Sequence, residues 1–254
     1  MKKLFLATVL VALSLTGFAQ SSPRRQAMSK HGAGDPSAPT GRAGNVHVPP
    51  SLCSPCLFYG GDLDINNPNA AGLSDENTLL ISGGSATYGS VTFPSTATVT
   101  GVLVNVQAST AFDPLTASYD IRTGVSEGNA GTSVASGSGP VSVALTGRSF
   151  LGLTEFTVFV PTSAPVVLDA GQYWVALTPQ CTNTLDGSCY AGRIFVSNTT
   201  GLANNRNGKW QTPKEAFFNS TYFGLSWNNW CDFSIFELNG PQCSAVSFGL
   251  TGTD

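Results

Sequence analysis

Apolar residues in this chain recur at every second position, in short runs, over most of the sequence beyond Thr78. Val102, Val104 and Val106 alternate with Leu103 and Asn105, and Tyr119 and Ile121 alternate with Asp120 and Arg122. Val141, Val143 and Leu145 alternate with Ser142, Ala144 and Thr146. Phe156, Val158 and Val160 share one face of EFTVFV, and Tyr173, Val175 and Leu177 share one face of QYWVALT. Successive side chains of an extended strand point to opposite faces, so this period predicts half-buried strands. Between the runs lie SGG, TGVSEGNAG, GSGP and LDAGQ, which read as turns because glycine accepts positive φ and Asn and Asp bond their own backbone. The densest helix-like text, PKEAFFNS at Pro213 to Ser220, supports one or two turns at most. About ten to twelve short strands from Thr78 to Leu238 predict an all-β chain, an antiparallel two-sheet β-sandwich of jelly-roll type.

The N-terminus is organised differently. MKKLFLATVLVALSLTGFAQ has a basic head at Lys2 and Lys3, an apolar run from Leu4 to about Leu15, and small residues at Gly17 and Ala19. This is the layout of a signal peptide over residues 1–19, and the apolar run is too short to span a bilayer. Residues 20–50 are rich in Pro, Gly, Ser and Ala, a composition that cannot bury a core and predicts a disordered, flexible leader. The expected domain is 51–254. The leader holds four basic residues against one acid, and the domain six against fourteen, which leaves the domain near −8. Such a balance disfavours nucleic acid as a partner. The expected location is secreted, extracellular or periplasmic, with no membrane insertion after signal removal.

Six cysteines agree with export: Cys53, Cys56, Cys181, Cys189, Cys231 and Cys243. An even count in an oxidising compartment predicts disulfides, and spacing alone does not choose the pairing. Cys181 and Cys189 bracket a turn-rich stretch and suit a local staple. Cys231 and Cys243 suit a bond to each other, or bonds reaching back to Cys53 and Cys56. A redox role for Cys53-Ser-Pro-Cys56 lacks the βαβ context that such a motif needs.

The expected domain contains no histidine; His31 and His47 both precede it. Ser-His-Asp catalysis, Cys-His catalysis and histidine-ligated zinc are thereby removed from the readings of this domain. Glycoside cleavage by a carboxylate pair stays open, since Glu127, Glu155, Glu215, Glu237 and the aspartates supply acids, but no spacing nominates a pair. No G-x-S-x-G, phosphate loop or dinucleotide fingerprint occurs.

Two stretches carry candidate sites. Asp62, Asp64 and Asn66 alternate, followed by Asp75 and Glu76, and calcium favours such an oxygen-rich set. The EF-hand form fails, because Asn67 and Pro68 stand where that loop needs a glycine turn and Leu73 where it needs a bidentate acid. The competing reading is an Asx-rich loop satisfying its own backbone. The second stretch holds Trp210, Phe217, Phe218, Tyr222, Phe223, Trp227, Trp230, Phe233 and Phe236. Aromatic faces beside amides suit sugar rings. Trp210, Trp227 and Trp230, with Asn228 and Asn229, are the expected exposed glycan contacts, while Phe233 and Phe236 read as core.

The order FYGGDLDINNPNAAGLSDEN, VTGVLVNVQ, YDIRTGVSEGNAGTSVASG, LTGRSFLGLTEFTVFV, LDAGQYWVALTP and CDFSIFELNG resembles uncharacterised secreted β-sandwich proteins of environmental bacteria. The resemblance spans roughly Phe58 to Gly240, rests on strand texture, and implies a jelly-roll-like fold with no catalytic residue to carry over. Together these readings predict a non-catalytic secreted module that binds glycan or a cell-surface or matrix component. A carboxylate-dependent glycan-cleaving enzyme and a purely structural extracellular protein are the alternatives.

Overall fold

A computed structural model of the chain describes residues 52–53, 56–66, 71–78, 81–109, 112–181, 193–199, 209, 211, 215–232 and 245–254. The expected signal peptide and leader, together with Trp210, Cys189, Cys243, Phe233, Phe236 and Glu237, lie outside the described residues. Fifteen strands are described. They are β1 (Cys56–Tyr59), β2 (Ala71–Ser74), β3 (Asn77–Thr78), β4 (Ser85–Phe93), β5 (Ala97–Ala108), β6 (Thr116–Thr123), β7 (Thr132–Pro140) and β8 (Ser142–Phe150), then β9 (Leu153–Leu168), β10 (Gly171–Cys181), β11 (Phe195–Thr199), β12 (Phe217–Ser220), β13 (Leu225–Asn229), β14 (Ala245–Val246) and β15 (Phe248–Thr253). The one complete helical element among the described residues is a 3-10 turn at Trp230–Asp232, and none of their helices is long and apolar enough to cross a membrane.

The strands form two sheets. In the first, β5 pairs with β9 on one side and with β15 and β11 on the other; β8 extends β9, β1 extends β15, and β2 and β14 flank β11. The second runs β13-β12-β4-β10-β6-β7, with β3 added to β10 as a short parallel pair. The chain crosses between sheets after every one or two strands from β4 onward, as the jelly-roll expectation requires.

Two-residue alternation places the core. Val102, Val104, Val106, Phe156, Val158 and Val160 turn inward from the first sheet; Tyr119, Ile121, Tyr173, Val175 and Leu177 do so from the second. All belong to runs whose period predicts it. Phe58 and Phe248 pack ring to ring at 4.9 Å.

Four expectations need correction. GSGP, expected as a turn, instead closes β7: Gly137 pairs with Tyr119 and lies over its ring, with a Cβ there meeting Tyr119 Oη at 2.8 Å. Close approach, not turning, requires this glycine. PKEAFFNS is strand over its second half, because Phe217–Ser220 is β12, bonded to both β4 and β13; of its described residues Glu215 alone lies in a 3-10 turn. Leu145 is not buried but 70 % exposed, since β8 is an edge strand where the sandwich opens. The final correction concerns the disulfides. Cys53 is bonded to Cys56, so neither Cys231 nor Cys243 reaches back to them. Cys181 and Cys231 are disulfide-bonded as well.

Candidate functional site

Residues 71–78 pass from the first sheet, where β2 pairs with β11, to the second, where β3 pairs with β10. The crossing buries two adjacent acids. Glu76 Oε1 accepts from Arg193 Nε at 2.7 Å and from Ser74 Oγ at 2.7 Å, and Oε2 accepts from Ile194 N at 3.2 Å. Asp75 Oδ1 accepts from Thr178 Oγ1 at 3.1 Å and Thr87 N at 3.4 Å, whereas its Oδ2 is buried with no hydrogen-bond partner. Burial, ahead of the neighbouring Glu76 charge, pushes the Asp75 carboxyl well above its ordinary range.

A second polar cluster covers the outer face of the first sheet. Tyr59 Oη donates to Asp62 Oδ1 at 2.7 Å and accepts from Asn105 Nδ2 at 2.9 Å; Thr157 Oγ1 donates to Asn105 Oδ1 at 2.7 Å. Burial above all, with the Asp62 charge beside it, raises the Tyr59 phenol well above its usual value. Arg148 stands between two acids, 3.0 Å from Asp62 Oδ1 and 2.5 Å from Glu155 Oε2. Asp62 and Glu155 are thus joined through one guanidinium, a pair that no spacing in the sequence singles out. Glycoside cleavage places the scissile bond between its two acids, and here the Arg148 guanidinium takes that position. Glu155 is moreover fully enclosed, with Thr146 Oγ1 donating to the same oxygen at 2.7 Å.

The five expected calcium donors are not gathered in one place. Asp62 is committed to Arg148 and Tyr59, and Asp64 Oδ1 accepts from Asn66 N at 3.1 Å in an Asx turn. Asp64 N donates to Asn198 O in β11 and Asp75 N to Ile194 O just ahead of it, acceptors four residues apart in extended chain and therefore about 13 Å apart. Among the described residues, no group of three or more His, Cys, Asp or Glu side chains is placed to hold a metal ion.

The expected glycan platform is also built differently. Trp227 and Trp230 are 7 % and 6 % exposed, so neither offers a face to solvent. Trp227 folds back over the second sheet with φ at 53°, its ring 4.7 Å from that of Tyr88 and under the Arg122 guanidinium at 4.9 Å. Burial and the Asp120 carboxylate raise the Tyr88 phenol. Trp230 joins the main core. The amides are spent locally: Asn228 Nδ2 donates to Glu127 Oε1 at 3.0 Å, and Asn229 Oδ1 accepts from Cys231 N at 2.9 Å.

Among the described residues, the exposed aromatic surface lies instead at the β12–β13 turn. Tyr222, 38 % exposed, packs edge-on against Phe223 at 4.9 Å. The Arg193 guanidinium sits 5.6 Å from the Phe223 ring and 5.2 Å from the Phe195 ring at the same end. Glu76 fixes this arginine by its Nε. The sequence signal for this surface is Thr221-Tyr-Phe-Gly224, aromatics in a hairpin turn, where a ring has little to pack against. Compared with protein-family models, curated proteins and solved structures, the chain matches none.

Proposed function

We propose that the chain is an exported, non-catalytic β-sandwich module that binds an extracellular polysaccharide or a related matrix polymer through the Tyr222 end. One observation carries the reading: Tyr222, Phe223, Arg193 and Phe195 form a continuous, part-exposed row of rings around an anchored guanidinium. Aromatic faces take the apolar side of sugar rings, and an arginine fork takes hydroxyls or carboxylates. Export is supported by the signal-peptide layout and by the disulfide-bonded cysteines. The non-catalytic part is supported by Arg148 between Asp62 and Glu155.

A polysaccharide panel tests the reading. Tyr222→Ala should weaken retention about tenfold with an unchanged melting temperature, the scale of one lost stacking contact. Equal retention of the variant, or no retention of the parent on any polymer, overturns the Tyr222 site. Release of reducing ends from the panel overturns the non-catalytic part. The secreted protein should begin at Gln20; a retained Met1 terminus overturns export through this signal.

A further inference from the structure

Cys53 and Cys56 are bonded to each other at a sequence separation of 3. A disulfide restrains the unfolded chain more as the loop it closes lengthens, so a bond across so short a loop contributes little to holding a domain together. β1 has other ties beyond it. The register breaks between Cys56 and Phe58; past that break Phe58 pairs with Leu250 and Tyr59 with Gly249. The Phe58 ring packs on Phe248, and Tyr59 Oη bonds Asp62 and Asn105. The strand's place in the first sheet is therefore secured downstream of the two sulfurs.

The surroundings of the pair fit its reduced form. Cys53 Sγ lies 3.9 Å from Phe58 O and 4.0 Å from Leu250 O, and Cys56 Sγ lies 3.3 Å from Phe58 O. These are the positions of acceptors for a thiol hydrogen, which a disulfide sulfur lacks and a thiol carries. The two sulfurs are also unequal. Cys53 is 6 % exposed and packs with Tyr59 and Leu103, whereas Cys56 is half-buried. An attacking thiolate needs access to one sulfur, and Cys56 is the more open of the two.

We propose that Cys53–Cys56 is a thiol–disulfide exchange site, reduced by an external dithiol through attack at Cys56 Sγ while the sandwich stays folded. A thiolate of the dithiol bonds to Cys56 Sγ, and the Cys53–Cys56 bond breaks with Cys53 leaving. The second thiolate of the reductant then closes on its own sulfur in the mixed disulfide and releases Cys56. Two electrons and two protons pass from the dithiol to the pair, and the dithiol ends as a disulfide. A monothiol does not complete the sequence, because Cys53, three residues away, expels it and restores the bond. The pair takes up electrons rather than catalysing exchange between other molecules: Cys56 opens a strand, not the helix whose N-terminus activates an oxidoreductase's thiolate.

The test is alkylation of the folded full chain after exposure to dithiothreitol, with labelled cysteines located by peptide mass mapping and the fold followed by circular dichroism. Cys53 and Cys56 should become labelled while the folded signal persists, and reoxidation should restore the pair. Reduced glutathione at the same thiol concentration should label at most about a tenth as much, because re-attack by Cys53 is intramolecular. Cys53→Ser, given oxidised glutathione, should hold it at Cys56 as a stable mixed disulfide, and Cys56→Ser should not do so at Cys53. If either variant misfolds, the parent's labelling by the two reductants decides. Labelling of Cys53 and Cys56 only as the folded signal is lost overturns the proposal. So does equal labelling by glutathione and dithiothreitol, or capture at Cys53 as ready as at Cys56.

Discussion

Arg193 Nε meets Glu76 Oε1 at 2.7 Å, and that contact ties the two sheets together at the crossing. Glu76 exchanges backbone bonds with Ser85 of the second sheet, and Arg193 leads directly into β11 of the first. The carboxylate is fully enclosed while the guanidinium is 31 % exposed. Arg193→Met should therefore cost about 3 kcal/mol, because it strands a buried charge rather than merely losing a surface pair. Urea denaturation measures this. Glu76→Gln, which keeps the acceptor shape, should cost less; a loss below about 1 kcal/mol for Arg193→Met would show that the pair is surface decoration.

Asp75 sets a pH dependence of the opposite kind from an ordinary ion-paired acid. Burial raises its carboxyl well above the ordinary range, so the fold favours the protonated form more than the unfolded chain does. Folding then takes up a proton. The contribution is full below the ordinary carboxyl range and is lost as pH rises from there toward the raised folded value. Stability of the parent should fall over that interval, and Asp75→Asn should flatten the fall. Denaturation midpoints at a series of pH values decide it; matching slopes in parent and variant would remove Asp75 as the cause.

Trp227 separates packing from binding. Its ring lies between Tyr88 and Arg122. Trp227→Ala should lower stability by about 3 kcal/mol, as for a buried aromatic. Tyr222→Ala should leave stability within about 0.5 kcal/mol, as for a surface change. Thermal melts of the two variants should diverge accordingly, and a Trp227→Ala protein as stable as the parent would contradict the packing described.

The fold is legible because alternation is written into single strands. Val102 to Val106 and Phe156 to Val160 announce their inward faces without knowledge of any partner. β15 is not legible in the same way. FGLTGT has Phe248 and Leu250 on one face but glycines at Gly249 and Gly252, which read as turn signals. Gly249 is there because a Cβ would meet Phe58 O at 2.9 Å and Leu103 Cδ1 at 3.0 Å. Such crowding exists only once the sheet has formed. The site is less legible for a related reason. Tryptophan and Asn beside one another suit a sugar platform or a folded-back packing corner equally well, and the choice at Trp227 follows from a positive φ that no residue type announces. Asp62 and Asp75 look alike in a string of acids, yet Arg148 and the inter-sheet crossing give them different surroundings.

The contact between Gly89 and Phe248 gives the most direct test of how the sheets are held apart. Gly89 lies in β4 of the second sheet and Phe248 in β15 of the first, and a Cβ on Gly89 would stand 2.5 Å from Phe248 Cε1 and 2.7 Å from Cδ1. The phenyl ring, itself packed on Phe58, has no open side to move into. Gly89→Ala should thus cost about 1 to 3 kcal/mol by overpacking, despite alanine's usual advantage over glycine in a strand. Phe248→Leu alone should also destabilise, by removing ring contacts from a filled core. Combined, the two should cost less than their sum, because the smaller side chain makes room for the added methyl. A coupling of at least about 0.5 kcal/mol in a double-mutant cycle is expected for residues in contact. Strict additivity would mean that Gly89 is kept for its backbone freedom and not for the approach of Phe248.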